Sequence, residues 1–128
     1  MYSHMASLYK QQEIQTASPG KIVLMLYDGA LKNLSLAEQA DQQQDYFQKT
    51  ESLGKVRSII VELLNTLDMK QGGEIAHQLQ SLYVYSLNQL MTADINQDFD
   101  ALRNVYSVLN ELREAFAIIV NNREVKAG

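Results

Sequence analysis

A hydrophobic period of three to four residues recurs in four separate stretches of this 128-residue chain, and it constrains the fold more than any other feature. Apolar residues at that spacing line up on one face of a helix, because each residue turns the helix by about 100°. The first stretch, from Ser18 to about Gln43, carries Val23, Tyr27, Ala30, Leu34 and Ala37. The second, about Asp45 to Leu67, carries Tyr46, Leu53, Val56, Ile60, Leu63, Leu64 and Leu67. The third, about Glu74 to Thr92, carries Ile75, Leu79, Leu82, Tyr83, Leu87, Leu90 and Met91. The fourth, from a cap at Asp98 to about Asn121, carries Leu102, Val105, Tyr106, Leu109, Leu112, Phe116, Ile119 and Val120. Four amphipathic helices joined by short connections predict an all-α, antiparallel four-helix bundle.

The punctuation agrees with that pattern. Ser18 is a helix N-cap type, and Pro19 suits the first helical position, where its missing N–H goes unused. Gly72-Gly73 is a helix stop, and Ala93 to Gln97 reads as a short polar connection. Gly54 stands inside the second helix and should cost about 1 kcal/mol relative to Ala unless another helix packs closely there. The expected organisation is an N-terminal arm or lid over residues 1–17, a bundle over 18–122 and a disordered tail over 123–128. The arm scatters Tyr2, Met5, Leu8, Tyr9 and Ile14 among polar residues, too few for a core of its own.

Composition removes several function classes. There is no Cys, so neither disulfides nor thiolate ligands are available. The net charge is -4, and no third of the chain is basic, so binding to a phosphate backbone has no electrostatic footing and nucleic acid is not expected. The longest apolar run falls far short of the roughly 20 residues of a membrane span, so no membrane insertion is expected. No basic-then-apolar export signal opens the sequence. A cytoplasmic protein is the expectation.

Chemistry-bearing constellations are thin. Glu74 and His77 have the i, i+3 spacing of a carboxylate-bridged di-iron pair, but that site needs a second such pair, and the only other His is His4 in the arm. A phospho-accepting role for His77 wants basic neighbours, and Gln78, Leu79, Gln80 and Ser81 follow it instead. Asp94, Asp98 and Asp100 lack the turn glycine and distal Glu of a Ca²⁺ loop. Gly72-Gly73 lacks the Lys-Ser/Thr of a phosphate cradle. No nucleophile, base and orienting group form a set. The expectation is no enzyme activity, no metal and no cofactor, with a metal-binding or phosphorelay bundle using His77 as the alternative.

One feature exceeds what a bundle requires. Ile22-Val23-Leu24-Met25-Leu26-Tyr27 is six consecutive apolar residues, enough to cover every face of a helix. A bundle core hides one broad stripe, so part of this run needs another cover. Ala115 to Val120 repeats the pattern. The arm could fold back over the excess through Leu8, Tyr9 and Ile14, or the excess could line a groove for an apolar stretch of another chain, with the arm as a competing lid. A homodimer joined through the surplus apolar face is a further reading.

Several motifs resemble the flagellin-specific export chaperone family, FliS. They are Thr16-Ala17-Ser18-Pro19, Leu24-Met25-Leu26-Tyr27-Asp28-Gly29, Gly72-Gly73-Glu74-Ile75-Ala76, Leu82-Tyr83 and Glu111-Leu112-Arg113-Glu114-Ala115-Phe116. The sequence departs from the family's usual pattern at Gln78, Val84 and Ser86. The resemblance implies a four-helix bundle with an N-terminal cap segment. It implies binding of the disordered C-terminal region of flagellin, protection against premature polymerisation, and delivery to the flagellar type III export gate. The expected partner-binding residues are then Tyr9 and Ile14 in the lid, Ile22, Met25, Leu26 and Tyr27 on the first helix, and Ile118 on the fourth. Asp28 and Asn33 are the expected polar anchors.

Overall fold

A computed structural model describes the backbone of residues 19–127 and the side chains of residues 20–122. The arm, its residues Tyr9 and Ile14, and the expected cap Ser18 lie outside the described residues. Four helices follow in order: α1 (Pro19–Gln42), α2 (Tyr46–Asn65), α3 (Gly73–Asn96) and α4 (Phe99–Ala127). No strand occurs among the described residues.

Local chemistry sets the ends. Asp45 accepts a hydrogen bond from the Gln48 N–H through its side chain, which caps α2. Gln44 and Gln97 adopt left-handed backbone, at φ 59° and 51°, and turn the chain out of α1 and α3. Gly73 also has positive φ, at 54°, where a side chain would be strained. A Cβ on Gly72 would lie 2.7 Å from both the Asp68 carbonyl oxygen and Ala76 Cβ, so only glycine fits this turn.

Two expectations about length change. α3 continues one turn beyond Thr92 to Asn96, because Ala93 is buried and belongs to its last core turn. α4 runs to Ala127, past the point where the sequence suggests a tail.

Around the bundle α1 packs against α2 and α4, and α3 packs against the same two, so α1 and α3 face each other across a diagonal. The Arg113–Asp28 and Arg103–Glu38 pairs put a later residue of α1 opposite an earlier residue of α4, which fixes those helices antiparallel. Ala30, Ala37 and Ala40 are fully covered on α1. Gly29 meets Ile59 Cδ1 of α2, 3.4 Å from where a Cβ would stand. The glycine at a helix contact is thus Gly29. Gly54 has nothing within 4 Å of its Cβ position.

The core joins Tyr27 and Leu34 to Leu53, Val56, Ile60 and Leu63, to Tyr83 and Leu90, and to Val105 and Leu109. The stripe of α3 differs from the expected one. Ala76, Tyr83, Ser86, Leu90 and Ala93 face inward, while Ile75, Leu82 and Met91 are exposed. Small residues fill the narrow seam and turn some of the larger apolar ones outward. Tyr46, Tyr106 and Ile119 of the other expected stripes are also exposed.

Candidate functional site

Where α1 begins and α3 begins, the bundle does not close. A groove of about 550 Å³ opens between the start of α1 (Ile22, Val23), the end of α2 and its connection (Thr66, Leu67, Asp68, Gly72), the start of α3 (Ile75, Ala76, Leu79, Tyr83) and Phe116 of α4. Its lining is overwhelmingly aliphatic and aromatic. Ile75 is 69% exposed at its mouth, so an isoleucine stands in water at the entrance.

The few polar groups are already engaged. Thr66 Oγ1 donates to the Leu63 carbonyl at 2.6 Å. Asp68 Oδ1 accepts the N–H groups of Lys70 and Gln71. The Tyr83 hydroxyl hydrogen-bonds the Tyr27 hydroxyl. Burial pushes both phenols above the ordinary tyrosine range, and for Tyr27 the bond to Tyr83 adds to the effect; for Tyr83 that bond acts in the opposite direction but does not cancel burial. Both therefore stay neutral at physiological pH. What the groove offers is apolar area, the currency of binding rather than of bond-making.

The residues expected from the sequence divide around it. Ile22 lines the groove. Ile22 through Leu26 are all partly exposed, so the other helices do not enclose the run. Leu26 packs on the edge of the core, and Met25 is half-buried. Tyr27 is 1% exposed and cannot meet a partner directly. It instead holds two groove walls from beneath, through its bond to Tyr83 and a tilted contact with Phe116 at 6.2 Å between ring centroids.

Asp28 is exposed and pairs with Arg113, whose Nε donates to Asp28 Oδ1 at 2.9 Å. That pair raises the Arg113 guanidinium further above its ordinary value, with Glu114 adding to it. Any anchoring by Asp28 would act through this ion pair. Asn33 donates its side-chain N–H to the Gly29 carbonyl one turn back, at 2.8 Å. Ile118 is exposed on α4.

Of the groove lining, sequence reasoning named Ile22 alone as a partner-binding residue and missed Val23, Thr66, Leu67, Asp68, Gly72, Ile75, Ala76, Leu79, Tyr83 and Phe116. The Gly72-Gly73 turn beside Ile75 was the available signal, since it brings the α2–α3 connection against that end. Glu74 and His77 both point to solvent, and among the described residues no group of three His, Asp or Glu could hold a metal ion. No described helix is long and apolar enough to cross a membrane.

The profile of the family described as Flagellar protein FliS matches residues 1–123. The chain belongs to the FliS family. It is similar to the Flagellar secretion chaperone FliS of Campylobacter jejuni, at 34% identity over 91% of both chains. It is 38% identical to the protein of the same name from Vibrio cholerae, over 81% of this chain and 76% of that one. It is 36% identical to that of Bacillus subtilis, over 84% of this chain and 80% of that one. The groove and the half-buried run on α1 are thus features of a FliS-family bundle.

Proposed function

We propose that this chain is a cytosolic, non-enzymatic export chaperone. It binds the disordered C-terminal region of flagellin, prevents its premature polymerisation and delivers it to the flagellar type III export apparatus. The observation that carries the reading is the open apolar groove beside Ile22 and Ile75, on a bundle whose core is otherwise complete. Family membership and the relatives' names as secretion chaperones support it. A disordered segment that folds into such a groove loses conformational freedom as it binds, and apolar burial must offset that loss. An amphipathic helix presenting residues at steps of three and four suits a groove made by helix ends. Residues 1–17, with Tyr9 and Ile14, act in this reading as a lid that competes for the same apolar surface.

Binding to full-length flagellin should be compared with binding to flagellin lacking its C-terminal helical segment. The chaperone reading requires loss of binding on truncation. Equal affinity for both forms contradicts it.

A further inference from the structure

The opposite end of the bundle carries a second surface that the groove does not use. The end of α1, the start of α2, the end of α3 and the start of α4 meet there. Lys49 Nζ lies 5.8 Å from the centroid of the Phe99 ring, which ties the starts of α2 and α4 together across a diagonal. Phe47 is 76% exposed and Ile95 73%, and Tyr46 and Phe99 are also exposed at this end. Core packing gives no reason for this concentration of apolar side chains in water.

The surround is acidic. Asp45, Asp94, Asp98 and Asp100 are all exposed. Lys49, the one basic residue within 41–49 and 94–100, is buried and already paired with Asp41 at 2.6 Å. Arg103, a turn further along α4, reaches Glu38 at 3.9 Å. Capping accounts for Asp45 and Asp98, whose carboxylates accept backbone N–H groups. Asp94 has no such account. It sits in the last turn of α3, where the helix dipole disfavours an acid and no basic residue offsets it.

We propose that this end is a docking surface for a basic segment of another protein, in which Lys or Arg residues alternate with large apolar ones. The exposed apolar side chains at this end provide contact area, and the four aspartates select positive charge. Other occupants fit worse. A second copy would bring the same aspartates face to face. Residues 1–18 carry one Lys and one Glu, so they bring no net charge. Anionic surfaces are repelled. The proposal stands apart from the flagellin reading and gives the bundle one site at each end.

The probes are a short synthetic amphipathic peptide of Lys, Arg, Leu and Phe, and a twin with every Lys and Arg replaced by Glu, each titrated into the full ¹⁵N-labelled chain. The basic peptide should bind one-to-one, more weakly in high salt, with shifts centred on Tyr46, Phe47, Ile95 and Phe99. The pair Phe47→Ser with Ile95→Ser, and separately Asp94→Lys with Asp100→Asn, should each weaken it by about tenfold or more. Flagellin binding by these variants should not change.

Equal binding of the Glu twin, shifts scattered over the acidic surface, or unchanged affinity in the serine variant would overturn the proposal. So would three further results: dimerisation lost on Phe47→Ser, shifts at this end on deleting residues 1–18, or loss of flagellin binding in the variants. These assign the surface to a second copy, to the arm or to flagellin.

Discussion

Replacing Tyr27 and Tyr83 by Phe, singly and together, tests how the groove floor is held. The two hydroxyls hydrogen-bond to each other, and the residues are 1% and 2% exposed. Removing either O–H leaves its partner buried without a bond, which costs about 1–3 kcal/mol. Removing both takes away the bond and the liability at once, so the double variant should lose no more than either single one, about 1 kcal/mol. Urea unfolding with a shared slope reads all four proteins. Losses that add to within about 0.5 kcal/mol would refute the reasoning, because uncoupled hydroxyls cannot be each other's partners.

The same set makes a pH prediction. Burial holds both phenols above their ordinary value, so the folded state keeps protons that the unfolded state releases above about pH 10. This contribution is fully present below that pH and is lost as pH rises through the raised folded-state values. The double Phe variant should flatten the alkaline limb of the stability curve.

Gly54→Ala should stabilise the protein by about 0.5–1 kcal/mol and raise Tm by about 2–4 °C, since the added methyl meets nothing within 4 Å; a lower Tm in calorimetry contradicts this. Asp41→Ala should cost about 3 kcal/mol in urea unfolding by stranding the buried Lys49 ammonium, and Lys49→Met in the same chain should recover most of it. Ile75→Ser should leave stability within about 0.5 kcal/mol, because the side chain is already exposed, yet weaken flagellin binding by about tenfold in calorimetric titration. Deleting residues 1–15 should tighten flagellin binding if the arm competes as a lid, and a larger Kd would instead make the arm part of the site.

The stripe of α1 was legible because Tyr27, Ala30, Leu34 and Ala37 sit at regular steps and all turn inward. The stripe of α3 was not, because hydrophobicity ranked Ile75 and Met91 above Ala76, Ser86 and Ala93. The space between close helices ranks them the other way. The exit of α1 was placed within a residue, at about Gln43, whereas that of α3 was placed a turn early, because it turns on left-handed Gln97, a conformation a glutamine side chain does not advertise. In the groove, Ile22 could be found from the surplus of its own helix. Leu67 and Phe116 join it only through tertiary packing. Asp28 was recognisable as a polar group beside that surplus, but Arg113 lies 85 residues away and leaves no local trace.

The surplus of apolar surface therefore belongs to the bundle's ends more than to one helix. α2 has 20 residues and α4 has 29, so the helices cannot finish level with one another. Running antiparallel from the Asp28–Arg113 pair, residue 19 comes level with about residue 122, and the last turn of α4 projects beyond the start of α1. Ile118 and Ile119 lie level with about residues 23 and 22 of α1 and are exposed because they face away from the core, while Val120 beside them is buried and Val105 and Leu109, in the middle of α4, are sealed. An added helical segment at that end would extend the core by one layer without repacking it. Such a partner stabilises the bundle by mass action, because it binds the folded groove and not the unfolded chain. The protected amides should then be those of Ile22, Val23, Ile75 and Ala76, while those of Leu53 and Leu109 should change only with global stability.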